Sequence, residues 1–106
     1  MNLRITKQEG RKCADGWCGG VWVRGTIGNY LFDALVFEDH AENEEYEIGR
    51  SRISKLWVHD GKGIKGRTVY NWDRGLDVEA VDEPAAVAVA TICGLLAERV
   101  FGKVAC

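Results

Sequence analysis

The stretch VWVRGTIGNYLFDALVF, residues 21–37, alternates apolar and polar positions on either side of a Gly28-Asn29 pair. Glycine followed by asparagine suits a two-residue type II′ turn, whose twist matches that of a β-hairpin. Counting outward, Ile27 faces Tyr30, Gly25 faces Phe32, Val23 faces Ala34 and Val21 faces Val36. Those eight residues share one face, all apolar or aromatic. The other face sets Arg24 opposite Asp33 and Trp22 opposite Leu35, and opposite charges directly across from each other favour this register. A slip of one residue would lose the agreement, because it turns every side chain to the other face.

A second alternating pair follows. RISKLWVH sets Ile53, Lys55, Trp57 and His59 against Ser54, Leu56 and Val58; RTVYNWDR sets Thr68, Tyr70, Trp72 and Arg74 against Val69, Asn71 and Asp73. The connector between them, DGKGIKG, is long and glycine-rich, so the register of this hairpin stays open. The segment TVYNWDRGLDV divides its polar and aromatic groups between two faces, which argues against one converging active site. Asp73-Arg74-Gly75 is expected to end the strand, with Gly75 turning the chain toward a helix and Asp73 accepting from nearby backbone donors.

Asp82-Glu83-Pro84 carries helix-start signals. Beyond it Ala85, Val89, Ile92, Leu96 and Val100 recur at helical spacing, with Ala88, Cys93 and Val104 beside them. Thr91, Gly94, Glu98 and Gly102 form a small or polar far side, close enough in profile to support a homodimer through the helix. The expected fold is α+β: a single domain over 1–106, with an N-terminal segment (1–19), an antiparallel four-stranded β-meander (20–80) and a C-terminal α-helix (82–104) packed on one face.

The chain has 106 residues, 46% hydrophobic and 28% charged, enough for one folded domain and too short for two cores. A net charge of −2 exerts no global pull on nucleic acid or membranes, but it hides an asymmetry. Glu38–Glu47 holds six carboxylates in ten residues, whereas Arg50–Arg74 holds seven Lys or Arg against two Asp, an excess of five positive charges. The acidic run lacks the alternating acids and tight glycine of a calcium loop, so it reads as a solvated loop or one short helical turn. The N-terminus MNLRITKQEG has no long apolar run and is not a secretory signal. The most apolar segment, Pro84–Ala97, spans fourteen residues against the roughly 20 a membrane span needs, and reads as a buried helix. A cytoplasmic location is expected. Cys13 and Cys18 lie at the wide edge of zinc spacing without a second close pair, and Cys93 sits among apolar residues, so reduced thiols and no metal or cofactor are expected.

No nucleophile elbow, phosphate-binding loop or HExxH motif is present, and GKGIKG lacks the strand-to-helix context of a phosphate loop. His59 with Asp60 or Asp73 is the one acid–base pairing on offer, and a lone histidine in a polar hairpin is ordinarily solvated. The expectation is a non-enzyme. With the helix on the Val21/Val23/Ile27 face, the opposite face carries Trp22 and Arg24. On the second hairpin Trp57, Tyr70 and Trp72 alternate with Lys55, His59 and Arg74. Aromatics with basic neighbours suit stacking on nucleic-acid bases, and equally suit a protein interface. A third reading makes these rings core, since indoles bury much apolar area.

SRISKLWV followed by YNWDRGLDV resembles a family of small uncharacterised proteins carried by bacterial phages and mobile elements, over about Trp22–Asp77. The chain departs from that pattern in its longer GKGIKG connector and its cysteine-bearing N-terminus. The resemblance implies a setting in which small proteins inhibit host defence, anti-CRISPR proteins among them. The function expected from residues and resemblance together is a small interaction protein that binds and inhibits or modulates a host protein or ribonucleoprotein. The alternative is a nucleic-acid-binding module using the aromatic–basic sheet face.

Overall fold

In the computed structural model, which describes residues 1–13, 16–60 and 67–102, the strands form one antiparallel sheet in chain order, with a helix laid across one face. The strands are β1 (Leu3–Cys13), β2 (Gly16–Ile27), β3 (Tyr30–Val36), β4 (Ile53–His59), β5 (Thr68–Asp73) and β6 (Leu76–Val78); the helix is α1 (Glu83–Phe101). The α+β meander with its C-terminal helix is as expected, but it has six strands rather than four. The N-terminal segment supplies β1, and the chain beyond Gly75 makes β6 before it reaches the helix. Both additions are edge strands, and both carry too few apolar residues for alternation to reveal them. In β1 the apolar pattern stops after Leu3 and Ile5, and extra residues at Thr6 and near Gly10 break the pairing.

The β2–β3 hairpin has the expected register throughout, from Ile27 opposite Tyr30 to Val21 opposite Val36. Gly28 takes φ +58° while Asn29 stays out of the left-handed region, the pattern of a glycine-first turn. Val21, Val23, Ile27, Phe32 and Val36 are fully buried beneath α1 with Ile92 and Leu96. Each such side chain contributes about 1.5–3 kcal/mol relative to exposure.

The helix begins where expected. Asp82 caps it, its Oδ1 accepting from the Ala85 N–H at 2.9 Å, and Gly102 ends it with φ +84°. Ala85, Ala88, Val89, Ile92, Leu96 and Ala97 face the sheet over β3, β4 and β5. Gly94, Glu98 and Gly102 are exposed, so the small-residue side does face outward. By length and hydropathy this helix alone, among the described residues, is apolar enough to cross a membrane, yet here one side is packed into the core. Burial holds the Cys93 thiol up at about 11, despite a hydrogen bond with Ser51, so it behaves as a small apolar group. The side chains of Cys13 and Cys18, together with Val104 and Cys106, lie outside the described residues, as do Lys62 and Lys65 of the connector.

β1 packs unusually close to β2 at Gly25. A Cβ there would overlap the Arg4 carbonyl oxygen and come within 2.8 Å of the Phe32 ring. The backbone of β1 cannot yield without breaking the ladder, so Gly25→Ala should destabilise by about 2–3 kcal/mol. Gly94, with nothing within 4 Å of a built Cβ, is the control. Gly94→Ala should stabilise by about 0.5–1 kcal/mol through helix propensity. Urea unfolding of the two variants should move the midpoint in opposite directions.

Candidate functional site

Among the described residues no element covers the sheet face away from α1, and the hairpin register decides which side chains it carries. Trp22 and Arg24 come from β2, Asp33 from β3, Lys55, Trp57 and His59 from β4, and Asn71 and Asp73 from β5. Trp22 is 46% exposed and Trp57 39%. The Trp57 ring is held in place: its Nε1 donates to Thr68 Oγ1 at 2.9 Å, and it stacks on His59 with centroids 4.2 Å apart. Lys55 Nζ lies 6.0 Å from the Trp22 ring centroid, at the outer limit of a cation–π contact.

Charge on this face is paired across and along the strands. Lys7 Nζ lies 2.6 Å from Glu9, Arg24 Nε 2.8 Å from Asp33, and Lys55 Nζ 3.6 Å from Asp73. A hydrogen bond from Lys7 holds the Glu9 carboxyl below its ordinary range, and Asp33 raises the Arg24 guanidinium further. These pairs are exposed, so they set surface charge more than stability.

The second hairpin corrects the sequence reading. Leu56 pairs with Trp72, Val58 with Tyr70, Trp57 with Asn71 and Lys55 with Asp73. Tyr70 and Trp72 are opposed to Asn71 and Asp73 as expected, but an extra residue at Val69 puts Thr68 on the side of Trp57 and Val69 in the core, and the parity relative to β4 is the reverse. Tyr70, 7% exposed, and Trp72 therefore pack on the helix side, not beside Trp57. Burial raises the Tyr70 phenol to about 12. Ile53 moves too: an extra residue at Ser54 in β4 returns it to the core face, away from Lys55, Trp57 and His59. Arg74 leaves the strand entirely, turning with φ +52° while its N–H donates to the Ser54 carbonyl. Of the eight expected interaction residues the structure gathers Trp22, Arg24, Lys55, Trp57 and His59. It removes Tyr70, Trp72 and Arg74.

His59 is buried rather than solvated, with its Nδ1 sealed and without a hydrogen-bond partner. Its Nε2 is 4.0 Å from Asp33, too far for a hydrogen bond. Asp73 is engaged by Lys55, and Asp60 Oδ1 accepts from the Arg67 N–H at 3.0 Å. Among the described residues no group of three or more His, Cys, Asp or Glu could hold a metal.

A family described as a domain of unknown function, DUF7678, matches residues 21–97. The chain belongs to that family. No curated protein and no solved structure matches it. The DUF7678 match runs from the first core residue of β2 to the last buried residue of α1. It includes every residue of the uncovered face named above except Lys7 and Glu9, which belong to β1.

Sequence reasoning missed one polar centre. The acidic loop is mostly exposed, with a short 3-10 turn at Glu44–Tyr46, but Glu47 is only 4% exposed. Its carboxylate accepts from the Ala41 N–H at 2.5 Å, His40 Nδ1 at 2.8 Å and the Arg52 N–H at 3.3 Å. A run of like charges carries no periodic signal, so nothing in it marks the one acid that folds inward. Burial pushes the Glu47 carboxyl up, but those three donors outweigh it and hold it below its ordinary value. A carboxyl depressed in the folded state adds stability above its unfolded pKa and loses it as pH falls through the folded one. Glu47→Gln should therefore lower the urea midpoint at neutral pH. Its difference from the wild type should shrink as pH drops below 4.5.

Proposed function

We propose that this protein is a non-enzymatic binding module that docks a protein partner on the uncovered sheet face around Trp22 and Trp57. The observation that carries the reading is charge balance around two half-exposed indoles. Lys7, Arg24 and Lys55 each face a carboxylate. A phosphate backbone would have to displace those acids at every step, whereas nucleic-acid affinity is driven by cations that release counterions. Paired charges ringing exposed tryptophans instead match a protein interface, where Trp and Arg supply the largest contributions and a polar rim supplies register.

Size is consistent with this. Six strands at about 4.8 Å spacing and seven-residue strands rising about 3.3 Å per residue span roughly 24 by 23 Å. That is about 550 Å² in projection, and more once side chains are counted, close to the roughly 800 Å² per partner of a standard interface. The resemblance to mobile-element proteins makes a host defence effector the first partner to try.

Affinity capture from host lysate should retain a partner that is lost with Trp22→Ala plus Trp57→Ala and kept with Val87→Ser, a change on the exposed side of the helix. For the purified partner the double variant should lose at least about 2 kcal/mol, roughly thirty-fold in Kd. Single-stranded DNA should show no fluorescence-anisotropy change even at low salt. A capture pattern indifferent to the two tryptophans, or salt-sensitive DNA binding that they control, would overturn the proposal.

A further inference from the structure

A second site lies at one end of the sheet, where the loop after β3 folds back over the ends of β3 and β4. It borders an open-sided cavity of about 510 Å³, within the usual range for small-ligand pockets. Leu35, Phe37 and Tyr46 give it apolar and aromatic walls; Arg52, Arg74, Lys55 and His40 give it cations and an imidazole, and the acids Glu38, Asp39 and Glu47 also line it.

Arg52 is the decisive residue. It is 8% exposed, and one guanidinium nitrogen donates to the Glu38 carbonyl at 2.8 Å. Among the described residues its side chain pairs with no carboxylate, although Lys7, Arg24, Lys55 and Arg74 all do. The nearby Glu47 carboxylate is occupied by His40, Ala41 and the Arg52 backbone N–H. With the Glu47 carboxylate held by other donors, the remaining N–H groups of the Arg52 guanidinium are available to an anion, which arginine receives in a bidentate pair.

Three further features converge on the same cavity. Among the described residues only two non-glycine residues have positive φ, Arg52 at +65° and Arg74 at +52°, and both line it. A bulky side chain in the left-handed region costs about 1–3 kcal/mol, and such strain concentrates at ligand clamps. Ser54, the extra residue of the β4 bulge, lines it too, and its carbonyl accepts from the Arg74 N–H at 2.9 Å. Glu47 Oε1 accepts a hydrogen bond from His40 Nδ1–H at 2.8 Å, which fixes the ring and leaves Nε2 to a ligand.

We infer that this cavity binds a small phosphate monoester carrying a planar ring, of the nucleoside monophosphate class. Arg52 receives the phosphate in a bidentate pair, Arg74, only loosely paired with Asp73 at 4.0 Å, flanks it from the rim, and Phe37 and Tyr46 bracket the ring. The two sites share Lys55, but this one rests on Arg52, which the protein-docking face does not use, so either can fail without the other.

Isothermal titration calorimetry of the full chain with a 5′-nucleoside monophosphate, inorganic phosphate and benzoate tests the assignment. The nucleotide should bind about tenfold more tightly than inorganic phosphate, and benzoate more weakly than either. Arg52→Gln should weaken nucleotide binding at least about tenfold, with circular dichroism confirming that the buried variant folds. Arg74→Gly guards against misfolding, since glycine takes the left-handed backbone without strain, and it should weaken binding several-fold with an unchanged or higher melting temperature. No heat from the nucleotide up to about 10 mM would overturn the inference. So would unchanged affinity in both folded variants, or benzoate binding more tightly than the nucleotide.

Discussion

Everything on this molecule's two faces follows from the pairing of β2 with β3. Arg24 opposite Asp33 on one side and Gly25 opposite Phe32 on the other hold the hairpin in a single register. The lack of a side chain at Gly25 lets the Phe32 ring and the β1 backbone close over the same spot. With that register in place, Val21, Val23 and Ile27 must join the core on the helix side of the sheet, and Trp22 and Arg24 must face away from it. Each later strand adds to a sheet whose inside and outside are already assigned.

The bulges then modify that assignment locally, and they lie where the chemistry is. The extra residue at Ser54 turns Ile53 into the core and brings the end of β4 against the arginine turn after β5. The extra residue at Val69 lets Val69 and Tyr70, adjacent in sequence, both join the core. A bulge shifts parity by one, so side chains on either side of it no longer follow the simple alternation. The same device leaves Lys55 shared between the uncovered face and the rim of the cavity.

The two sites also show how differently charge is handled in one small domain. On the open sheet, exposed cations and acids neutralise each other in solvent, at little energetic consequence. In the cavity a buried glutamate is satisfied by two backbone donors and a histidine, while the neighbouring arginine has only a carbonyl. The first arrangement is paired and broad, the second concentrated around one guanidinium that no carboxylate pairs. That contrast is why one is assigned to a protein surface and the other to a small anion.

Sequence alone determined the parts that depend on short-range periodicity. The first hairpin's register, the start of the helix near Asp82 with its apolar face, and the outward position of Trp22 and Arg24 were all legible, because a two-residue turn and a 3.6-residue repeat leave one parity each. Only the tertiary structure decided the rest. A long glycine-rich connector does not transmit parity, so Tyr70 and Trp72 went to the core while Trp57 stayed outside. The edge strands have too few apolar residues to announce themselves. Glu47 and Arg52 acquire their roles from a loop folding over a sheet end, and no spacing along the chain encodes which acid, or which arginine, will be buried there.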